Sequence, residues 1–243
     1  MELIRRLKDK LYPLKQWWKA IYTYPQFKVS DTNYILYWEE RKSALKRELN
    51  SFQKKRADFT VKLIEPDSFV IDVGCGDGGT AFYINQRKKL QRIIGVDFSK
   101  DVLALAKEKG IETVNLDISK TGELKKLPQA DYVFLFEVIE HLSNSEEILN
   151  WAFKNSKKGV FFSVPNTGFL VHRLRLLFGH FPLQWRVYPS EHLRFWTVKD
   201  MKWWLKELGY KNYIMKIYEG VPILNFIWPS LFGQGILVYI PVI

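Results

Sequence analysis

From Ser68 onward, short apolar runs alternate with segments whose apolar positions recur every three or four residues. The runs predict strands over 68–74, 92–97, 112–117, 131–137 and 159–164, because β-branched and aromatic residues between turn signals fit buried strands. The intervening stretches predict helices at 79–89, 100–109 and 144–156. Strands separated by helices imply parallel crossovers, and so an α/β sheet with helices on both faces. The alternation stops at Thr167. Residues 167–195, rich in Arg, His and aromatics, predict a lid or binding insertion. A helix over 198–208, with Thr197 as its N-cap, and strands Asn212–Tyr218 and Gly235–Val242 complete the pattern.

Two regions have a different texture. Leu3, Ile4, Leu7, Leu11, Leu14, Trp17, Trp18 and Ile21 recur at helical spacing, with Arg5, Arg6, Lys8, Lys10, Lys15 and Lys19 between them and Pro13 as a kink. This stripe suits either a basic helix anchored by Trp on an anionic membrane surface or an element packed on the domain itself. Leu36 to Ile64 reads as a second helical stretch. Residues 1–66 are therefore expected to form a basic helical extension, and 67–243 the main domain. At the other end, Val221 to Ile243 carries no charge. Its length would allow a membrane span, but Pro222, Pro229, Pro241, Gly233 and Gly235 would break the helix. An apolar loop leading to a buried strand is the expectation.

Composition adds bounds. With 243 residues, 47% of them hydrophobic, the chain suits one α/β domain plus an extension. The net charge of +11 favours an anionic partner. It is unevenly spread, with 15 Lys and Arg against 8 Asp and Glu in residues 1–66. A single cysteine, Cys75, cannot form an internal disulfide. The first residues lack the apolar core of a signal peptide, so the expected location is cytoplasmic, peripheral at a membrane if the basic helix binds one.

The chemistry begins at Val70-Ile71-Asp72-Val73-Gly74-Cys75-Gly76-Asp77-Gly78-Gly79, where an apolar strand breaks into glycines before a helix. The next strand ends on Asp97 and Phe98. Strand, glycine turn, helix, strand and acid form the first half of a nucleotide-binding unit. Gly74, Gly76 and Gly79 satisfy the dinucleotide spacing, but Asp72 would repel a pyrophosphate. It suits the ammonium of S-adenosylmethionine (SAM), while Asp97 suits the ribose hydroxyls. Asp117, ending the third strand, can accept from the adenine amino group, and Ile118 can offer its N–H. A turn cap is the alternative for Asp117. The D-x-G-x-G-x-G pattern resembles motif I of the class I SAM-dependent methyltransferases, which implies a Rossmann-like seven-stranded sheet. The expected cofactor residues are Asp72, Gly74, Cys75, Gly76, Asp97, Phe98, Asp117 and Ile118.

The fourth strand opens into Glu137-Val138-Ile139-Glu140-His141. If this segment turns helically, Glu137, Glu140 and His141 share a face. They could hold a divalent cation, leave His141 as a base, or form a polar structural network. With His192 of Glu191-His192-Leu193-Arg194-Phe195-Trp196-Thr197, the pattern resembles the small-RNA 2′-O-methyltransferases and the ubiquinone-biosynthesis O-methyltransferases. That resemblance implies a metal set of Glu137, Glu140, His141 and His192, holding Mg, Mn or Zn, with Glu137, His141 and His192 as catalytic residues. Ser163-Val164-Pro165-Asn166-Thr167-Gly168, Arg173-Leu174-Arg175, Gly179-His180-Phe181-Pro182 and His192 resemble the MetW-type proteins of methionine biosynthesis. The expected reaction is O-methylation of a small-molecule, lipid or glycan hydroxyl. RNA is the second acceptor class, and a non-catalytic SAM-binding partner protein of the MetW type is the remaining reading.

Overall fold

A computed structural model describes residues 19–21, 49–182 and 191–242. One seven-stranded sheet organises them, in the order β3-β2-β1-β4-β5-β7-β6. The strands are β1 (Phe69–Val73), β2 (Arg92–Asp97), β3 (Glu112–Asn115), β4 (Ala130–Phe136), β5 (Ser156–Pro165), β6 (Ile214–Tyr218) and β7 (Gly235–Pro241). The first five are parallel. β7 inserts antiparallel between β5 and β6. All seven fall where the apolar runs predict them.

Chain order runs outward from β1 through β2 to β3, then restarts at β4 on the other side of β1. The connections therefore diverge at the carboxyl ends of β1 and β4, and a crevice opens there. The helices that flank the sheet before and through this region are α1 (Ser51–Leu63), α2 (Gly79–Lys88), α3 (Lys100–Glu108), the single turn α4 (Thr121–Leu124) and α5 (Ser145–Lys154). Later come α6 (Leu170–Leu177), α7 (Val198–Glu207) and two single turns, α8 (Leu224–Ile227) and α9 (Pro229–Phe232).

Strand alternation sorts the core into two layers. Ile71, Val73, Val133, Leu135 and Phe162 pack with Ile148 and Leu149 of α5 and Met201 and Leu205 of α7. Val70, Tyr132, Phe134 and Phe161 pack on the opposite face with Ala57 of α1 and Ile84 of α2. Asp72 lies on this second face, between Gly95 of β2 and Phe134 of β4 in register. Thr197 caps α7 as expected, in a reciprocal capping box with Asp200.

The structure adds detail to three expectations. Before the boundary at residue 66, α1 is capped by Asn50 and Gln53, and buries Arg56, Ala57 and Thr60 against the sheet layer. Most of the N-terminal stripe lies outside the described residues. Ile21, its last position, is buried with Phe169 and Val171, and the Arg175 guanidinium donates to the carbonyls of Ala20 and Ile21. This described end thus packs on the domain. The 167–195 insertion contains α6 and is closed at its base, where Thr167 N donates to Trp196 O at 2.9 Å; residues 183–190 are not described. Among the described residues, no helix is long and apolar enough to cross a membrane.

Candidate active site

The crevice is a cavity of about 750 Å³, lined among others by Asp72, Gly74, Cys75, Gly76, Asp97, Phe98, Asp117, Ile118, Glu137, Glu140, His141 and His192. Each site residue expected from the sequence reaches it.

Its floor is the turn after β1. Gly74 has φ +72°, and a Cβ there would sit 2.5 Å from Val138 Cγ2. Only glycine lets the chain turn this tightly against the β4 loop. The helix is entered through Gly78, at φ +70°, and not through Gly79, whose φ is ordinary. The motif spacing counts Gly79, but the left-handed position precedes the first helical residue. Gly95 was not visible as a site residue. A Cβ there would lie 2.8 Å from Cys75 Sγ, so the missing side chain gives the thiol room. Burial and the surrounding carboxylates push that thiol's pKa well up, which makes Cys75 a packing group and a poor nucleophile.

Asp97 ties β2 to this turn. Its Oδ2 accepts from Gly76 N at 3.1 Å and its Oδ1 from Ser99 N at 2.9 Å. Burial raises its pKa against those backbone bonds. Each oxygen retains acceptor capacity for a ribose hydroxyl. Burial pushes Asp72 up to about 7, opposed by Arg56 and assisted by Asp97 and Asp77. A buried carboxylate this reluctant to ionise is a site that a ligand cation would relieve. Asp117 behaves as the turn cap: Oδ1 accepts from Ser119 N and Oγ, and Oδ2 faces Lys120 at 3.4 Å. These contacts hold its pKa down. It still lines the cavity with Ile118.

Beyond β4, Glu137 adopts φ +55°, costly for a residue with a Cβ and characteristic of functional turns. Ile139–His141 then form one 3₁₀ turn, not a longer helix. This turn brings Glu140 and His141 together with His192, their ligand atoms lying within 4.8 Å of one another. Glu137 stands outside the cluster. Its Oε1 accepts from Ser163 Oγ at 2.7 Å and pairs with Arg56 at 3.2 Å. Arg56 is buried, donates to Ser163 Oγ at 3.0 Å, and lies 5.1 Å from the Phe136 ring. Sequence reasoning missed it, because an arginine in a basic helix reads as a solvated surface residue.

Both Glu140 oxygens are buried without a hydrogen-bond partner, as is His192 Nδ1. Burial and the adjacent Glu137 raise the Glu140 pKa well above the usual carboxylate range. The Glu191 carbonyl can only accept, so His141 Nδ1, bonded to it, carries the ring proton. His141 Nε2 lies 3.7 Å from Glu140 Oε1. Burial, with His141 and His172 nearby, pushes His192 down to about 3, which keeps that imidazole neutral. The backbone completes the junction: Leu193 N and Arg194 N both donate to Glu140 O, at 2.8 and 3.1 Å.

Comparisons with known proteins agree with this geometry. Residues 37–213 match the methyltransferase domain family, over more than half of the chain. Over 103 residues the chain is 31% identical to the mitochondrial ubiquinone biosynthesis O-methyltransferase of Saccharomyces cerevisiae, covering 40% of this chain and 33% of that one. It is 24% identical to a probable (S)-tetrahydroprotoberberine N-methyltransferase 2 of Papaver bracteatum over 122 residues, covering 49% and 32%. The chain thus spans about a third of the length of these curated relatives. Its fold is like that of a SAM-dependent methyltransferase from Archaeoglobus fulgidus (TM-score 0.60, 19% identity, 86% of this chain and 100% of that one). It is also like that of the methyltransferase domain of bacterial CtHen1 (TM-score 0.58, 21% identity, 79% and 100%). With the sheet order, the glycine turn, and Asp72 and Asp97 around one cavity, these matches show that the chain belongs to the class I SAM-dependent methyltransferases.

Proposed function

We propose that this chain methylates a hydroxyl oxygen of a small-molecule, lipid or glycan acceptor. One observation carries the reading: the His141 imidazole and the Glu140 carboxylate, whose buried oxygens have no hydrogen-bond partner, share the cavity of the cofactor residues. Asp72 would hold the cofactor ammonium, Asp97 the ribose hydroxyls, and Ile118 and Phe98 the adenine region. The acceptor oxygen attacks the methyl carbon, the carbon–sulfur bond breaks, and its electron pair leaves with sulfur as S-adenosylhomocysteine. The hydroxyl proton passes to His141 Nε2, whose ring is held for this by the Glu191 carbonyl. Arg56 and Ser163 fix Glu137 beside this group. The two relatives named for methyl transfer to small molecules support a small acceptor.

The same three donors fit a divalent cation. Two buried, unpartnered carboxylate oxygens and a neutral imidazole lack the positive charge that burial calls for. Glu140, His141 and His192 would hold Mg, Mn or Zn, and the mixed oxygen and nitrogen set suits Mn or Zn better than Mg. Such an ion would supply Lewis acidity that lowers the pKa of the acceptor hydroxyl.

Methyl-labelled SAM offered with catechol-ring phenols, lipid-linked diols, glycans and a small RNA tests the acceptor class. Label on a small-molecule oxygen, lost in His141→Ala with SAM affinity retained, is the expected result. Label on RNA alone, or on no acceptor, overturns the reading.

A further inference from the structure

The geometry points to residues 223–228 as a knob that inserts into an anionic phospholipid surface. Ile223, Phe226, Ile227 and Trp228 are 73%, 78%, 74% and 54% exposed. Neither α8 nor α9 buries a residue. Four large apolar side chains in so short a stretch mark an interaction surface. The loop is built, not frayed. At its base Val221 N donates to Phe232 O at 2.9 Å, and a Cβ on Gly220 would lie 1.9 Å from that same oxygen. Asn166 Nδ2 donates to Ser230 O and Gly233 O. Ile223, a β-branched residue, is held at φ +68°, a strained conformation retained at the tip.

Charge selects the occupant. From Val221 to Ile243 there is no acidic residue. Phe226 and Pro229 share a groove of about 470 Å³ with Lys55, Lys62 and Lys216. Glu219 pairs with Lys55 at 2.6 Å, and Asp58, which accepts from the neutral Tyr83 hydroxyl at 2.7 Å, keeps its charge. Lys62 and Lys216 outnumber that one remaining carboxylate, so the groove beside Phe226 is net positive. Protruding apolar side chains beside lysines suit an acyl boundary beneath anionic headgroups. A protein partner would instead need a groove shaped to the knob. Asn166, which anchors the loop, follows Pro165 on the wall of the catalytic cavity, so a docked loop places that cavity near the lipid.

The test uses the full chain with vesicles of phosphatidylglycerol and phosphatidylcholine, against phosphatidylcholine alone. Binding at least tenfold stronger to the anionic vesicles is expected. Phe226→Ser/Ile227→Ser/Trp228→Ser should weaken it at least tenfold with SAM affinity unchanged, and Lys62→Glu/Lys216→Glu should remove the anionic preference. As a readout independent of the triple variant, brominated acyl chains should quench wild-type fluorescence more than that of Trp228→Phe. The proposal is overturned if wild type binds neither vesicle, or if the triple variant binds as wild type, which would move the contact to residues 1–48. It is also overturned if wild type sediments as a dimer that the triple variant dissolves, which would make the occupant a second copy.

Discussion

Arg56 Nη1 lies 3.2 Å from Glu137 Oε1, so a helix that precedes the first strand supplies the counter-charge for the turn after the fourth. Burial raises the Glu137 pKa while Arg56 and Ser163 oppose the rise. Arg56→Met would leave that half-buried carboxylate with the Ser163 hydroxyl but without its counter-charge, costing about 1–3 kcal/mol of stability. Adding Glu137→Gln should recover a large part of the loss. Denaturant titration of the two single variants and the double variant checks this; additive losses would mean that the pair is not coupled.

Asp97 serves the turn and, by our reading, the ribose. Asp97→Ala removes acceptors for Gly76 N and Ser99 N as well as for the ligand. SAM affinity should fall about tenfold or more, measured by calorimetry. Wild-type affinity in the variant would separate Asp97 from the cofactor.

Asp72 gives a pH signature. With its pKa pushed up to about 7 by burial, ionising it opposes the fold. The stability it contributes is full below the ordinary carboxylate range and is lost as pH rises through about 7. A bound ammonium reverses this preference, so binding at pH 7 should release about half a proton per site, and affinity should rise severalfold from pH 6 to pH 7.5. Calorimetry in buffers of different ionisation enthalpy detects the release. Asp72→Asn should abolish it.

The cluster separates base from cation. If an ion is held, excess chelator should stop methyl transfer and added Mn or Zn should restore it, while His192→Ala should lose transfer at near wild-type SAM affinity. Full activity in chelator would leave His141 as the base and remove the cation from the reaction.

Gly95 and Cys75 form a packing pair that substitution can expose. Gly95→Ala places a methyl 2.8 Å from Cys75 Sγ, and should displace the glycine turn and weaken SAM binding. Cys75→Ala in the same chain should restore much of the affinity, because the crowding atom is gone. Equal binding by Gly95→Ala and wild type would show that the turn tolerates the shift.

The strands were legible because each is a short apolar run bounded by turn residues, and the cofactor end because its glycines and acids lie close together in sequence. Arg56 was not: a single basic residue in a helix carries no mark of burial until the helix is docked on the sheet. Gly95 looked like any glycine within a strand, since its meaning depends on a thiol twenty residues earlier. α6 escaped notice because its apolar positions lie inside a segment whose aromatics and histidines suggested a loop. The division of labour between Glu137 and Glu140 was equally hidden. It follows from one left-handed residue and a single 3₁₀ turn, where a continuous helix would have put both carboxylates on one face.

The two amides that bond to Glu140 O make the cluster observable without substrate. Leu193 and Arg194, through that shared carbonyl, hold the His192 backbone beside Glu140 and His141. Their hydrogen–deuterium exchange rates therefore report how often the catalytic edge opens, and at what free energy, in a chain at rest. A ligand that closes the cavity should slow both amides together, and one that binds only the glycine turn should leave them unchanged.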